Sequence, residues 1–216
     1  DLFLYSGQGS QWAGMGRRLL AKEPAFAAAV DELEPDFVAQ VGFSLRDVLE
    51  SGEPVVGIDR IQPVLVGVQL ALTALWRSYG VVPDAVIGHS MGEVTAAVVG
   101  GALTPADGLK VIATRSRLMK RLSGQGAMAL LELDAAAAEA LIAGYDNVTV
   151  AVHASPKQTV IAGPPDQVAV LVQLEIGAAQ HRVVAVGLGP VAAGPAEQRL
   201  QPGGHLDHTE RLGQVV

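Results

Sequence analysis

The sequence contains no cysteine and no cluster of basic residues. Without cysteine the protein can form no disulfide and use no thiolate chemistry, which fits a reducing, cytoplasmic environment. A formal net charge of −7 without a basic patch argues against nucleic acid as a partner. The longest apolar run, Pro63 to Trp76, is interrupted by Gln69 and Thr73 and is too short to cross a bilayer. We therefore expect no membrane span.

A length of 216 residues allows one or two domains with a substantial core. The chain opens on the apolar residues 2–5, which are typical of a strand, without an initiator methionine or a signal peptide. We interpret it as a domain cut from a longer polypeptide. No set of metal ligands is expected.

The most informative stretch is 85–99, where a short apolar run is followed by Gly-x-Ser-x-Gly and then by an Ala/Val-rich segment. This order predicts a buried strand, a sharp turn and a packed helix. Gly88 and Gly92 let the two segments cross closely, and Ser90 is lifted from the sheet at the helix N-terminus. There the helix dipole and the first N–H groups can stabilise an oxyanion. Ser90 is predicted to be a nucleophile.

The motif has alternatives that the residues leave open. Gly-x-Ser-x-Gly also arises by chance in glycine-rich proteins, although its position between a strand and a helix favours the nucleophile. The motif by itself fits an α/β-hydrolase esterase or thioesterase as well as an acyltransferase.

Two further positions carry possible chemistry. Arg115 falls within the apolar stripe of a helix that begins at Thr104-Pro105, so its guanidinium must be paired with an anion. A structural salt bridge, for example to Glu93, and a receptor for a substrate carboxylate are equally compatible with this pattern. Gln8, in a glycine-rich loop after the first strand, either offers N–H donors or belongs to an ordinary turn.

The chain divides into an α/β part and a second pattern that begins at Met128. Before Ser90 the periodicity predicts one strand and then mostly helices: strand Leu2–Tyr5 and helices Met15–Ala21, Pro24–Leu33, Leu45–Ser51 and Gln62–Tyr79. From Met128 the order is βαββαβ, typical of a ferredoxin-like unit: strands Met128–Leu133, Val148–His153, Gln158–Ala162 and His181–Val186, with helices Ala135–Gly144 and Pro165–Leu174. We expect domains at 1–127 and 128–188 and a Gly/Pro-rich tail at 189–216, with a possible short helix near Ala196–Leu200.

Taken together, these motifs resemble the acyltransferase domains of polyketide synthases, and the chain is similar to bacterial malonyl-CoA:acyl carrier protein transacylase. The likeness runs from about Leu2 to about Ala169 and fades from Val170, and it looks closest to the mycobacterial mycocerosic-acid-synthase type. The motifs that carry it are Gly7-Gln8-Gly9-Ser10-Gln11, Ile61-Gln62-Pro63, Gly88-His89-Ser90-Met91-Gly92-Glu93, Arg115-Ser116-Arg117 and most of the βαββαβ unit. The resemblance implies a hydrolase-like parallel-sheet core with an inserted ferredoxin-like subdomain.

The resemblance also implies a role for individual residues. Ser90 would take a malonyl or methylmalonyl group from coenzyme A, with Gln8 and the Met91 backbone N–H as the oxyanion hole. Arg115 would pair with the free carboxylate of the acyl group, and Gln62 would line the site beside it. The acyl group would pass to the phosphopantetheine thiol of an acyl carrier protein, beside a ketosynthase domain and without a bound cofactor.

One implied element is missing from the sequence. The family likeness calls for a histidine base near positions 190–200, and no histidine occurs there. A frame change or a truncated gene would give this pattern, a hypothesis that reading the other frames of the DNA tests. His89 is grouped with the substrate-binding candidates, although its side chain should point away from Ser90 Oγ. None of the five histidines is favoured as a substitute for the base; besides His89 these are His153, His181, His205 and His208.

These expectations leave three interpretations. The first is an acyltransferase whose activity is weakened by the missing base. The second is an α/β-hydrolase esterase or thioesterase, which the mostly helical segment before Ser90 disfavours. The third is a catalytically dead fragment of a broken synthase. The sequence leaves malonyl and methylmalonyl equally open.

Overall fold

The computed structural model describes residues 1–178 and 184–186, and the side chains of residues 1–174. The backbone divides into two compact units between Arg121 and Leu122, a few residues before the expected boundary. The first unit contains β1 Leu2–Tyr5, α1 Arg17–Lys22, α2 Pro24–Val41, α3 Leu45–Ser51, α4 Ile58–Ser78, β2 Ala85–Gly88, α5 Gly92–Val99 and α6 Pro105–Leu122, whose last residue begins the second unit. The second unit contains β3 Ala127–Leu131, α7 Ala135–Ile142, β4 Thr149–Ser155, β5 Gln158–Gly163, α8 Pro165–Ala178 and β6 Val184–Val186.

The first unit contains a two-stranded parallel sheet, in which β1 pairs with β2 in register from Leu2 opposite Ala85 to Tyr5 opposite Gly88. Side chains alternate between the faces of a strand. Leu2, Leu4, Ala85 and Ile87 therefore share one face, and all four are exposed within the part of the chain that the structure describes. The opposite face carries Tyr5, which is only 6% exposed.

The helix α4 is the core element of the first unit. Eight consecutive residues, 61–68, are buried, and the five among them that are Ile, Leu or Val pack in one cluster with apolar side chains of α1, α2, α3 and α5. The helix begins at Ile58, one turn earlier than predicted, so Pro63 lies inside it. The early start follows from Gly57, whose φ of 90° ends the preceding loop.

Helix α2 is longer than predicted. The sequence analysis places its end at Leu33, but it continues through Pro35 to Val41 and ends at Gly42 in a left-handed conformation. The reason is burial: Phe37 in the extra turns is fully buried and lies edge-on to the Phe43 ring, with ring centres 5.5 Å apart. This packing outweighs the hydrogen bond lost at a helical proline.

The expectation that no apolar segment reaches membrane-spanning length needs a correction. In the described residues α4, at 21 residues, is long and apolar enough to cross a bilayer by length and composition. However, 67% of its apolar window is buried inside the fold. That burial is what the core helix of a globular domain shows, so the argument against a span rests on packing rather than on length.

The second unit is built on an antiparallel sheet with the strand order β4-β5-β3-β6. Its core consists of alternate residues of β3 and β5, which meet side chains from α7 and α8: Ala129, Leu131, Ala138, Ile161, Val168 and Leu171, all at most 3% exposed. The elements between Met128 and Leu174 follow the predicted βαββαβ order, with β6 described only at Val184–Val186. The predicted start of that strand at His181 and the possible helix near Ala196–Leu200 lie outside the described residues.

Candidate active site

The turn between β2 and α5 holds Ser90 in a strained conformation. Its φ is +55°, and it is the one non-glycine residue with positive φ among those the structure describes. A left-handed conformation costs an L-residue roughly 1–2 kcal/mol. Such strain is typical of a serine that a strand–turn–helix unit raises above the sheet, as the sequence predicts.

Gly88 and Gly92 allow this turn to form because the chain crosses itself there. A Cβ atom on Gly88 would lie 2.3 Å from the backbone nitrogen of Glu93, and one on Gly92 would lie 2.1 Å from the Tyr5 carbonyl oxygen. Both distances are far inside van der Waals contact with backbone atoms, which cannot move aside cheaply. The two glycines of the motif are therefore required by close approach.

Backbone hydrogen bonds fix the turn against β1. The His89 N–H donates to the Tyr5 carbonyl at 2.9 Å, and the Gly92 N–H donates to the His89 carbonyl at 2.9 Å. The Met91 side chain is fully buried, whereas its backbone N–H has no backbone acceptor among the described residues. This N–H belongs to the N-cap residue of α5, which follows Ser90 in the sequence.

Arg115 connects α6 to the nucleophile. Its Nη1 donates to Gln62 Oε1 at 2.7 Å, and its Nη2 donates to Ser90 Oγ at 3.2 Å. The structural salt bridge to Glu93 that the sequence left open is not among the ion pairs of the described residues. Within the described residues the half-buried guanidinium thus has neutral oxygen partners, which leaves its charge available to an anion.

Gln62 is hydrogen-bonded both to the first loop and to Arg115. Its side chain is 2% exposed, and its Nε2 donates to Gln8 Oε1 at 3.2 Å while its Oε1 accepts from Arg115. Nε2 also lies 3.9 Å from the Met119 sulfur. The structure therefore brings together four of the predicted site residues, Gln8, Gln62, Ser90 and Arg115, with Met91 adjacent in sequence to Ser90.

The histidines do not supply a partner for Ser90 in the part of the chain that the structure describes. His89 is exposed, and its ring packs over Gly7, where an added Cβ would lie 3.0 Å from Nδ1. His153 lies exposed on β4 in the second unit. His181, His205 and His208 are outside the described residues. The observed partner of Ser90 Oγ is Arg115, which only donates and cannot serve as a base.

Sequence reasoning misses a polar row on α4. It treats Gln69 and Thr73 only as interruptions of an apolar run, yet Gln69 follows Gln62 by seven residues and Thr73 follows Gln69 by four. That spacing puts all three on one side of the helix. The row points toward the first strand and α5, because Gln69 binds Ser6 and Thr95, and Thr73 binds Tyr5.

A cavity of about 470 Å³ lies beside α4, but its lining does not include Ser90 or Arg115. Trp12, Arg18 and Leu65 are among the residues that line it, and it reaches the nucleophile region only through Ser6 and Gln69. The concave space and the candidate chemistry are therefore neighbours rather than one site.

Comparison with known proteins identifies the family of the chain. A family model described as an acyl transferase domain matches residues 2–192. One phenolphthiocerol/phthiocerol polyketide synthase polypeptide of Mycobacterium tuberculosis is 80% identical over 167 residues, which are 77% of this chain and 9% of that protein. A second polypeptide of that synthase, from the same species, is 64% identical over 201 residues, 93% of this chain and 13% of that protein. The chain thus spans about a tenth of the length of these relatives.

Solved structures resemble the chain as well. The acyltransferase domain of the polyketide synthase PpsC of Mycobacterium tuberculosis is 66% identical, with a TM-score of 0.81 over 86% of this chain and 56% of that chain. FabD from Acinetobacter baumannii is 30% identical, with a TM-score of 0.73 over 86% of this chain and 60% of that chain.

The extent of the likeness depends on the relative. The alignment with the relative that is 80% identical covers 167 residues, a length that agrees with the expected likeness from about Leu2 to about Ala169. The family model continues to residue 192, and the alignment with the relative that is 64% identical covers 93% of the chain, so a weaker likeness extends further. No histidine occurs at positions 190–200.

Proposed function

The chain belongs to the acyl transferase domain family of polyketide synthases, and we propose that it loads a malonyl or methylmalonyl group onto an acyl carrier protein. In this proposal Ser90 accepts the acyl group from coenzyme A, and the phosphopantetheine thiol of the carrier protein then takes it. One observation carries the choice of a carboxylated substrate. The Arg115 guanidinium lies 3.2 Å from Ser90 Oγ and has no carboxylate partner in the described residues.

The first half-reaction forms the seryl ester. Ser90 Oγ loses its proton and bonds to the thioester carbonyl carbon, the carbon–sulfur bond breaks, and coenzyme A leaves as a thiol. Arg115 binds the free carboxylate through two charge-assisted hydrogen bonds, which places the thioester carbon near Ser90. In the second half-reaction the carrier thiol attacks the ester, the carbon–oxygen bond breaks, and Ser90 regains a proton.

Two groups support the negative charge that develops on the carbonyl oxygen. The Met91 N–H stands at the N-terminus of α5, where the helix dipole favours an anion. Gln8 approaches from the first loop and is held by Gln62. Removing one such donor from an acyl-transfer enzyme typically costs about 10²–10³ in rate.

The base that takes the Ser90 proton is the unassigned part of this proposal. Proton transfer by a positioned base contributes about 10²–10⁴ in rate, so a chain that lacks one would be acylated slowly. A catalytically dead synthase fragment is accordingly the second candidate function. The esterase alternative is less favoured, because an arginine that has no carboxylate partner in the described residues has no role with an uncharged acyl group.

The finer architecture and context belong to the same proposal. We interpret the first unit as a hydrolase-like core and the second as ferredoxin-like, a view that the strand order β4-β5-β3-β6 supports. The proposed setting is cytoplasmic, with coenzyme A esters as substrates, no resident cofactor, and the carrier protein and a ketosynthase domain as partners.

Intact-protein mass spectrometry tests the proposal directly. The protein is incubated separately with methylmalonyl-CoA, malonyl-CoA and acetyl-CoA, alongside the Ser90→Ala variant. We expect an adduct from a carboxylated donor that Ser90→Ala loses, and its mass identifies the substrate. A folded protein that forms no adduct with any donor would support the dead fragment instead.

A further inference from the structure

Gln69 joins the two segments of chain that carry the oxyanion donors. Its Nε2 donates to the Ser6 carbonyl at 3.0 Å, and its Oε1 accepts from the Thr95 hydroxyl at 2.6 Å. Ser6 lies two residues before Gln8 in the first loop. Thr95 lies one turn along α5 from Met91 and is fully buried. One amide side chain therefore spans from the loop of one donor to the helix of the other.

The backbone at Gln69 is also linked to the first strand. The Thr73 hydroxyl donates to the Gln69 backbone carbonyl at 2.8 Å and shares a second hydrogen bond of 2.8 Å with the Tyr5 hydroxyl. The Tyr5 carbonyl receives the His89 N–H at 2.9 Å, next to Ser90. Since Thr73 is 3% exposed and Tyr5 is 6% exposed, these bonds lie in a water-poor region where each is difficult to replace.

We propose that Gln69 is a positioning residue that sets the separation between Gln8 and the Met91 N–H, and thereby the fit of the oxyanion hole. This inference rests on the proposed acyl transfer but concerns a residue that contacts neither Ser90 nor Arg115 in the described structure. The physical basis is that oxyanion donors act only when they are fixed before the reaction, and a displacement of about 1 Å can cost 10² in rate.

The two hydrogen bonds of the Gln69 amide can be removed separately by substitution. Gln69→Glu keeps the side-chain length and the acceptor for Thr95, but it replaces the donor to Ser6 with an oxygen that repels the carbonyl. Thr95→Val keeps the shape of the other partner and removes its hydroxyl. Because either change breaks the same bridge, the double variant should be about as slow as each single variant.

The test measures the rate of Ser90 acylation against donor concentration for wild type, both single variants and the double variant. Gln173→Glu, an exposed glutamine of α8, is the matched control. We expect the maximal acylation rate to fall about 10- to 100-fold in each variant, with the half-saturating donor concentration unchanged. An unchanged rate, a rise in the half-saturating concentration alone, or a fully multiplicative double variant would overturn the inference.

Hydrogen exchange measured by mass spectrometry decides the inference even if the wild type forms no adduct and the proposed function fails. Gln69→Glu should then speed exchange in peptides covering 88–95 and leave those covering the α2 core residues 26–37 unchanged. If Gln69→Glu and wild type exchange at the same rate, or if exchange rises uniformly along the first unit, Gln69 does not position the turn.

Discussion

Arg115 donates one hydrogen bond to the Ser90 hydroxyl, at 3.2 Å, and another to Gln62. A cation that binds a nucleophile by donating to it stabilises the ionised oxygen but does not remove its proton. The arrangement therefore suits a group that selects and orients an anionic substrate. These two bonds use two of the five guanidinium donors, so the proposed substrate carboxylate can bind the others.

Replacing Arg115 with alanine should remove the preference for carboxylated donors. A hydrogen bond to a charged group contributes about 1.5–3 kcal/mol, so adduct formation from malonyl-CoA or methylmalonyl-CoA should fall about 10- to 100-fold. Acetyl-CoA, which has no carboxylate, should react no more slowly than with wild type. An experiment in which the donors compete, followed by mass spectrometry, measures the ratio of carboxylated adduct to acetyl adduct.

The matched control for this change is Arg117→Ala on the same helix. Arg117 is exposed and lies 3.4 Å from the Thr114 hydroxyl. The Arg117→Ala variant should keep the wild-type preference for carboxylated donors. Equal losses in both variants would assign the effect to the net charge of α6 rather than to a carboxylate site.

Gln62→Leu should weaken the binding of carboxylated donors, because it acts on Arg115 and not on Ser90. The change leaves Arg115 Nη1 and Gln8 Oε1 without their observed partner, so the guanidinium is held less firmly. We expect a rise of about tenfold in the half-saturating donor concentration with a smaller change in the maximal rate. Concentration series of adduct formation provide both values, and a selective fall in the maximal rate would contradict this role.

Ser90→Gly should stabilise the protein relative to Ser90→Ala. Both variants lose the hydroxyl, but only glycine adopts the φ of +55° without steric cost. The expected difference in the free energy of unfolding is about 1 kcal/mol. Urea unfolding of the two variants measures it, and an equal stability would show that the turn is not strained at this position.

The nucleophile turn could be predicted from the sequence because its requirements are local. Two glycines, an apolar run before them and an Ala/Val-rich segment after them determine the turn between Ala85 and Val99 almost independently of the rest. The role of Arg115 could not be settled in this way. Its pattern fits both a salt bridge and a receptor, and its observed partner Gln62 lies 53 residues away in the sequence, where no local pattern indicates it.

The features that the sequence analysis predicted wrongly or missed depend on tertiary contacts rather than on local sequence. The sequence analysis ends α2 at Leu33, whereas burial of Phe37 extends the helix through Pro35 to Val41. Gln69 could not be singled out, because a polar residue in an apolar run has no visible partner until Ser6 and Thr95 are placed beside it. A polar row at helical spacing on a buried helix is the signal that could have revealed it.

Gly92→Ala should prevent the turn from closing. The new methyl group would lie 2.1 Å from the Tyr5 carbonyl oxygen, so β1 or the start of α5 would have to move. Overpacking against backbone should cost about 3 kcal/mol or more. Gly144→Ala is the control, because nothing lies within 4 Å of a Cβ there. The midpoint temperature of thermal unfolding should fall strongly in Gly92→Ala and hardly at all in Gly144→Ala. Similar unfolding curves for the two variants would exclude a close approach of the chain at Gly92.

Tyr5 should make the protein less stable in alkali. Burial raises the pKa of the Tyr5 phenol above its usual value of 10, and the hydrogen bond with Thr73 lowers it in part. Because the folded-state pKa is raised, the stabilisation is complete below about pH 10 and is lost as the pH rises through the folded pKa. Tyr5→Phe should therefore flatten the fall in unfolding free energy above pH 10. Thr73→Val should steepen it, because it removes the bond that favours the ionised phenol. Urea titrations between pH 8 and pH 11 provide the slopes, and parallel curves for all three proteins would mean that the Tyr5 hydroxyl is not buried behind the nucleophile turn.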